Sequence, residues 1–231
     1  MADPLDNPVW HALTGPHAHL ASGNDAVLRY PSDVTMFYGV PDPLGRGVTA
    51  IADVAAPGDV AVLMSTGEVI APDSWVPIYR GLFHQMVCTT VTPAAGMGDT
   101  TATVRLGSDD VDDMLALVAL TEPGPFLART HTLGTYIGVR ENGRLVAMAG
   151  QRMRVQGATE VSAVCTHPDA RGRGYAAHLV SQLASDINDA GERAFLHVSV
   201  DNTAARAIYE RVGFTTRALI TIQVFAIVPE P

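Results

Sequence analysis

Residues 167–180, HPDARGRGYAAHLV, place two arginines and two glycines between an apolar run ending at Cys165 and an alanine-rich helical pattern. The N–H groups in the first turn of a helix have no internal partner, and the helix dipole adds partial positive charge there. A strand–loop–helix corner is therefore a natural anion site when nothing bulky blocks the approach. Gly172 and Gly174 clear the corner, Ala176 keeps the next exposed position small, and Arg171 and Arg173 bring charge that can meet phosphate oxygens. Together these features point to a pyrophosphate. Neither standard phosphate loop fits. Ala177 stands where G-x-G-x-x-G needs its last glycine, and all 15 bases are arginine, which excludes a P-loop lysine and a Schiff-base lysine alike.

Other reactive side chains make weaker patterns. Cys88 and Cys165 are too few for a disulfide framework and lack metal-type spacing, and Cys165 reads as a small buried hydrophobe. His167 could act as a base near neutrality, but its proline neighbour points to a turn. His17 and His19 have H-x-H spacing without a third ligand pattern, so they read as surface or turn residues and no metal is expected. The formal charge of −9, from 24 acids and 15 bases, argues against nucleic-acid binding and is compatible with a cationic substrate.

The elements that would position the corner are legible. TVRL reads as a strand, and SDDVDDMLALVAL as a helix with Ser108 at its N-cap and Leu115, Val118 and Ala119 on its apolar face. After the helix-breaking TEPGPF, two strand runs flank Asn142-Gly143, a hairpin turn signal, and a second turn at Gln156-Gly157 leads into TEVSAVCTH. Ala176, Leu179, Val180, Leu183 and Ile187 form an amphipathic stripe that stops near Gly191. AFLHVSV, then a short helix capped by Asp201 or Asn202 and ended by Gly213, then ALITIQVFAIV complete the order β-α-β-β-β-α-β-α-β. That order predicts a mixed α/β sheet.

With 231 residues the chain has room for two compact units, and 47% apolar residues supply a sizeable core. The N-terminal part suggests a smaller α/β unit of order β, β, α, β, β, with strands at AVLRY, MFYGV, DVAVLM and VPIYRGLFHQMVC and a weak helix around Val48 to Val54. TPAAGMGDT, residues 92–100, reads as a linker, so the expected units are 1–95 and 101–231. Apolar runs are broken before reaching the roughly 20 residues of a membrane span. The opening MADPLDNPVW lacks a signal-peptide pattern, so no membrane association and a cytoplasmic setting are expected.

R-x-x-G-x-A, Arg171 to Ala176, resembles the coenzyme A pyrophosphate loop of the GNAT superfamily of N-acyltransferases. Further on, VDNTAARAIYERVGF resembles the family's N-x-x-A-x-x-x-Y-x-x-x-G-F helix, with Asn202, Ala205, Tyr209, Gly213 and Phe214 in register. The resemblance covers roughly residues 101–228. It implies a GNAT-like sheet with helices on both faces, and acetyl-CoA bound where two neighbouring parallel strands splay. By that resemblance Val164, Cys165 and Thr166 would offer backbone to the pantetheine arm, and Arg171, Gly172, Arg173, Gly174, Tyr175 and Ala176 would hold the pyrophosphate. Tyr209 would protonate the departing thiolate. Asn202 would cap its helix and could also bond the pantetheine or a water. Glu160, eleven residues before Arg171, stands where the histone-acetylating branch has its glutamate. It would take the amine's proton with a raised pKa, unless a water chain does so.

The implied reaction is acetyl transfer to an amine by direct attack in a ternary complex, the acceptor being a small molecule. A peptide or protein acceptor, a CoA-binding regulatory module and a purely structural protein are the competing readings. The TEPGPF loop, with Glu122, would line the acceptor pocket. The N-terminal unit would be a degenerate GNAT-like half or a lid, covering the acceptor side or completing the sheet. Oligomeric state is not legible, and a homodimer stays open.

Overall fold

The computed structural model describes residues 3–56, 58–92 and 103–227. The N-terminal residues form α1 (Pro8–Leu13), a small antiparallel sheet of β1 (Ser22–Asn24), β2 (Val27–Arg29) and β3 (Tyr38–Gly39), and the longer strands β4 (Val60–Ser65) and β5 (Val76–Cys88). There follow β6 (Thr103–Leu106), α2 (Val111–Thr121), β7 (Tyr136–Glu141), β8 (Arg144–Val155), β9 (Ala158–Thr166), α3 (Tyr175–Asp189), β10 (Arg193–Ser199), α4 (Thr203–Val212) and β11 (Thr215–Ala226). From β6 onward this is the order that the sequence predicts. The strand runs expected before residue 95 also form, while the helix expected at Val48–Val54 is a 3-10 helix, Arg46–Asp53. The six-residue α1 has too short a periodic pattern to read.

The expected division into 1–95 and 101–231 does not divide the sheet. Its eight strands run β4-β11-β5-β10-β9-β8-β7-β6, so β5 lies between β10 and β11, antiparallel to both, and β4 covers the outer edge of β11. The physical reason is strand-edge satisfaction. The twelve-residue β11 and the seven-residue β10 have unpaired N–H and C=O groups along two edges, and the N-terminal strands supply the partners. Apart from Thr92, the expected linker at 92–100 lies outside the described residues.

Helices cover both faces. On one face Leu179, Val180, Leu183, Ala184 and Ile187 of α3 bury against Val161, Ala194, Leu196 and Val198, together with Tyr209 and Val212 of α4. A fully buried leucine contributes about 1.5–3 kcal/mol. On the other face α1 packs Val9 and Leu13 against Met153, Val155 and Phe195, and α2 packs Met114 and Leu117 against Tyr136, Met148 and Cys165. The α2 stripe therefore differs from the expected one, since Leu115 and Val118 are only partly buried and Ala119 is exposed. Ser108 does not cap α2. It opens a 3-10 turn, and the Asp110 carboxylate accepts from the Gly107 N–H at 2.9 Å. No described helix is long and apolar enough to cross a membrane.

Candidate active site

The site is made by one interruption of the sheet. Strands β9 and β10 pair in parallel only from Arg193↔Ala158 to Phe195↔Glu160, then part. On its other side β9 stays paired to β8 through register shifts, and Ala163 sits at φ +51°, a left-handed conformation uncommon for a residue with a Cβ. Such a bulge bends the strand and re-aims its last residues. Between the separated strands lies a cavity of about 970 Å³. Its lining includes Glu160, Val164, Cys165, Thr166, Arg171, Gly172, Gly174, Tyr175, Ala176, Asn202 and Tyr209. Arg173 is the expected residue that the structure leaves out.

At the α3 mouth the loop is built as the glycines suggest. Gly172 and Gly174 have φ +79° and +83°, the region where a Cβ is strained, and Gly174 is the residue preceding the first turn of α3. Arg171 Nε donates to the Thr166 carbonyl at 3.3 Å, which keeps its guanidinium beside the opening. Arg173 instead pairs with Glu141 at 2.6 Å, and the Tyr175 hydroxyl also donates to Glu141. The carboxyl of Glu141 is held below its ordinary value by the Tyr175 and Arg173 bonds. The phosphate role expected for the Arg173 side chain is thus not the one this geometry gives it.

Asn202 Oδ1 accepts from the Ala205 N–H at 3.1 Å and caps α4 as expected, leaving Asp201 out of that role. Tyr209 is 8% exposed, and burial, then the nearby Cys165, pushes its phenol up to about 12. It stays protonated at neutral pH and so has a proton to donate. Burial likewise pushes the Cys165 thiol up to about 11, which leaves it a poor nucleophile. Thr166 Oγ1 is buried without a hydrogen-bond partner among the described residues. With the unpaired edges of β9 and β10, it leaves polar groups that an extended amide-bearing ligand would satisfy.

Glu160 lies on the opposite face, and its environment differs from the one expected. Arg152 Nε and Nη2 donate to its two oxygens at 2.8 and 2.7 Å, His197 Nδ1 donates to Oε1 at 2.8 Å, and the Met153 N–H adds a bond at 3.3 Å. Burial alone would push the carboxyl up, but the Arg152 guanidinium and His197 bring it down to about 2. The raised pKa expected for Glu160 is therefore corrected. The reason is a partner eight residues earlier, on the neighbouring strand. Gln85 Nε2, whose Oε1 accepts from Arg217 at 2.6 Å, faces His197 Nε2 at 3.1 Å, so the imidazole donates through Nδ1 and accepts through Nε2. Arg217 in turn reaches Asp6, and Arg193 reaches Asp3 at 3.2 Å, which tie the N-terminal segment under the site.

Arg152, His197 and Gln85 carry no signal in the sequence. Alternation in QRMRV puts Arg152 on a strand, but only strand pairing opposes it to Glu160. His167 and His17 hold structural bonds. His167 Nδ1 accepts from the Asp169 N–H at 3.2 Å in a turn, whereas His17, expected at the surface or in a turn, lies in a turn but is buried and bonded to the Tyr30 hydroxyl at 2.9 Å. Glu122 and its neighbours Thr121, Pro123, Gly124 and Pro125 line the cavity, as the position of TEPGPF suggests.

The model of the FR47-like protein family matches residues 136–222, which span β7 to β11 and include this cleft. No curated protein matches the chain. A solved structure described as an acetyltransferase of the GNAT family from Novosphingobium aromaticivorans is similar over 97% of this chain and 99% of its own, with 34% identity and a TM-score of 0.88. A GCN5-related N-acetyltransferase from Kribbella flavida is similar over 89% of this chain and 88% of its own, at 16% identity and TM-score 0.61, and shares the fold. The near-complete match at 34% identity, set beside the splayed strands and the glycine-cleared helix start, means that the chain belongs to the GNAT family of acetyltransferases.

Proposed function

We propose that the protein transfers an acetyl group from acetyl-CoA to the amine of a small molecule, by direct attack with both substrates bound. The observation that carries the reading is the cavity itself. It runs from the start of α3, through the gap between β9 and β10, to the opposite face of the sheet. A thioester entering from one face can meet an amine entering from the other. Its electrophilic carbonyl is the chemistry it would supply. Arg171 and the N–H groups at the start of α3 would hold the pyrophosphate, while the backbone of Val164, Cys165 and Thr166 would pair with the pantetheine arm.

Tyr209 would deliver a proton to the leaving sulfur, a task suited to a phenol held fully protonated. Cys165, with its raised pKa, supports transfer without an acyl-enzyme. An attacking amine must shed its proton. A Glu160 carboxyl at about 2 and clamped by Arg152 is a weak base, so the proton would pass to water in the open part of the cleft. Glu160 enters this reading as the anion that fixes Arg152 and His197.

Calorimetric titration with acetyl-CoA and with free CoA tests the reading, followed by thiol release with amines. Micromolar binding of either nucleotide supports it, and absence of binding by both refutes it.

A further inference from the structure

Opposite α3, the cleft is walled by residues that the transfer chemistry leaves unused. Strand pairing sets them in rows: Val62, Val224 and Tyr79, then Ile222 beside Gly81, then Phe83 and Ser199, with Met64 and Ile220 completing the last two rows as buried neighbours behind the wall. The next position along β5 and β10 pairs Gln85 with His197, which bonds Glu160. Side chains at alternate strand positions share a face, so this slab is continuous with the Arg152–Glu160 floor. Phe37 closes its far edge, bridging to Val62 while its ring lies under the Arg152 guanidinium at 4.9 Å.

Gly81 explains the shape. A Cβ there would lie 2.1 Å from the Tyr79 hydroxyl and 2.9 Å from Phe83 Cε2. The Tyr79 ring therefore lies back along the strand toward Phe83, and the two aromatics make one surface where a side chain would have separated them. Tyr79 remains 47% exposed. An aromatic left uncovered inside a concave site costs hydration that a ligand's apolar body would recover. Four residues of strand separate Phe83 from Tyr79, about 13 Å. At its inner end the slab meets Arg152 and Glu160, which neutralise each other.

We propose that the acceptor is a primary amine carried on an aromatic or branched apolar body. The body lies over Tyr79, Gly81 and Phe83 and directs the amine toward the gap between β9 and β10. This rests on the acetyl-transfer reading and names its substrate class. Polyamines and short hydroxylated amines would leave the slab wet and gain nothing from it.

The test compares 2-phenethylamine and tryptamine with ethanolamine and putrescine, by kcat/KM for thiol release and by calorimetric titration of each amine into CoA-saturated protein. The aromatic amines are expected at least ~10-fold ahead in both measurements. Tyr79→Ser, at a half-exposed position, and Gly81→Ala, which pushes the Tyr79 ring away, should each cut the aromatic-to-aliphatic ratio by ~10-fold with an unchanged acetyl-CoA Kd. Equal rates for the two groups, or a ratio unmoved in both variants, overturn the proposal while acetyl-CoA binding stands. Failure of acetyl-CoA to bind at all overturns the transfer reading and this inference with it.

Discussion

The two mouths of the cleft are built by opposite means. At the α3 mouth the working parts are backbone: a helix start, two glycines at positive φ, and one arginine held on a carbonyl. They occupy one short run of sequence. At the opposite mouth the working parts are side chains from β4, β5, β8, β9, β10 and β11, joined by a buried ion pair and an aromatic slab. A backbone site suits a ligand that stays the same, because main-chain N–H groups recognise phosphate whatever side chains surround them. A side-chain site can be rewritten strand by strand, which suits the acceptor role proposed for this mouth.

The comparison is sharpest when each mouth is damaged alone. Arg152→Met leaves the buried Glu160 carboxylate without its cation and should cost about 3–5 kcal/mol in denaturant unfolding, whereas Arg152→Met with Glu160→Leu should restore most of that. A small loss in the single variant would mean that the floor is not a coupled pair. Acid should also unsettle this face first. Burial, then His19 and Arg154, lowers His17 from 6.5 to about 4, so its contribution is complete above pH 6.5 and is lost as pH falls toward 4. The loss should reach about 2 kcal/mol by pH 5. Urea midpoints at pH 7 and pH 5 read it, and His17→Gln should flatten the difference.

At the other mouth Gly174→Trp should weaken acetyl-CoA binding by ~100-fold in calorimetry, with far-UV circular dichroism unchanged. Retained affinity would break the assignment of this mouth to the nucleotide. The smallest effect expected is Tyr209→Phe, which should lower kcat by ~10-fold with little change in KM. An unchanged kcat would return Tyr209 to packing against Phe214.

Sequence and structure agree where chemistry and local structure coincide. Asn202 caps the helix it precedes, Asn142-Gly143 turns the hairpin it sits in, and Gly172 and Gly174 take the backbone conformation that their lack of a Cβ permits. They part where a residue's role depends on a partner distant in the chain. Arg173 reads as free charge in its own loop, yet Glu141, thirty-two residues away, holds it. Glu160 reads as a base because nothing nearby in sequence declares Arg152 its counter-ion across the β8–β9 ladder.

By itself, then, the sequence determined the element order from β6 onward, the glycine-cleared helix start and the family pattern around it, because those depend on periods and caps a few residues long. The tertiary structure alone decided that β5 enters the sheet between β10 and β11, that Glu160 is ionised, and that Tyr79 and Phe83 face the cleft. Strand order and register bring together residues that no local propensity connects, and burial then sets their charge.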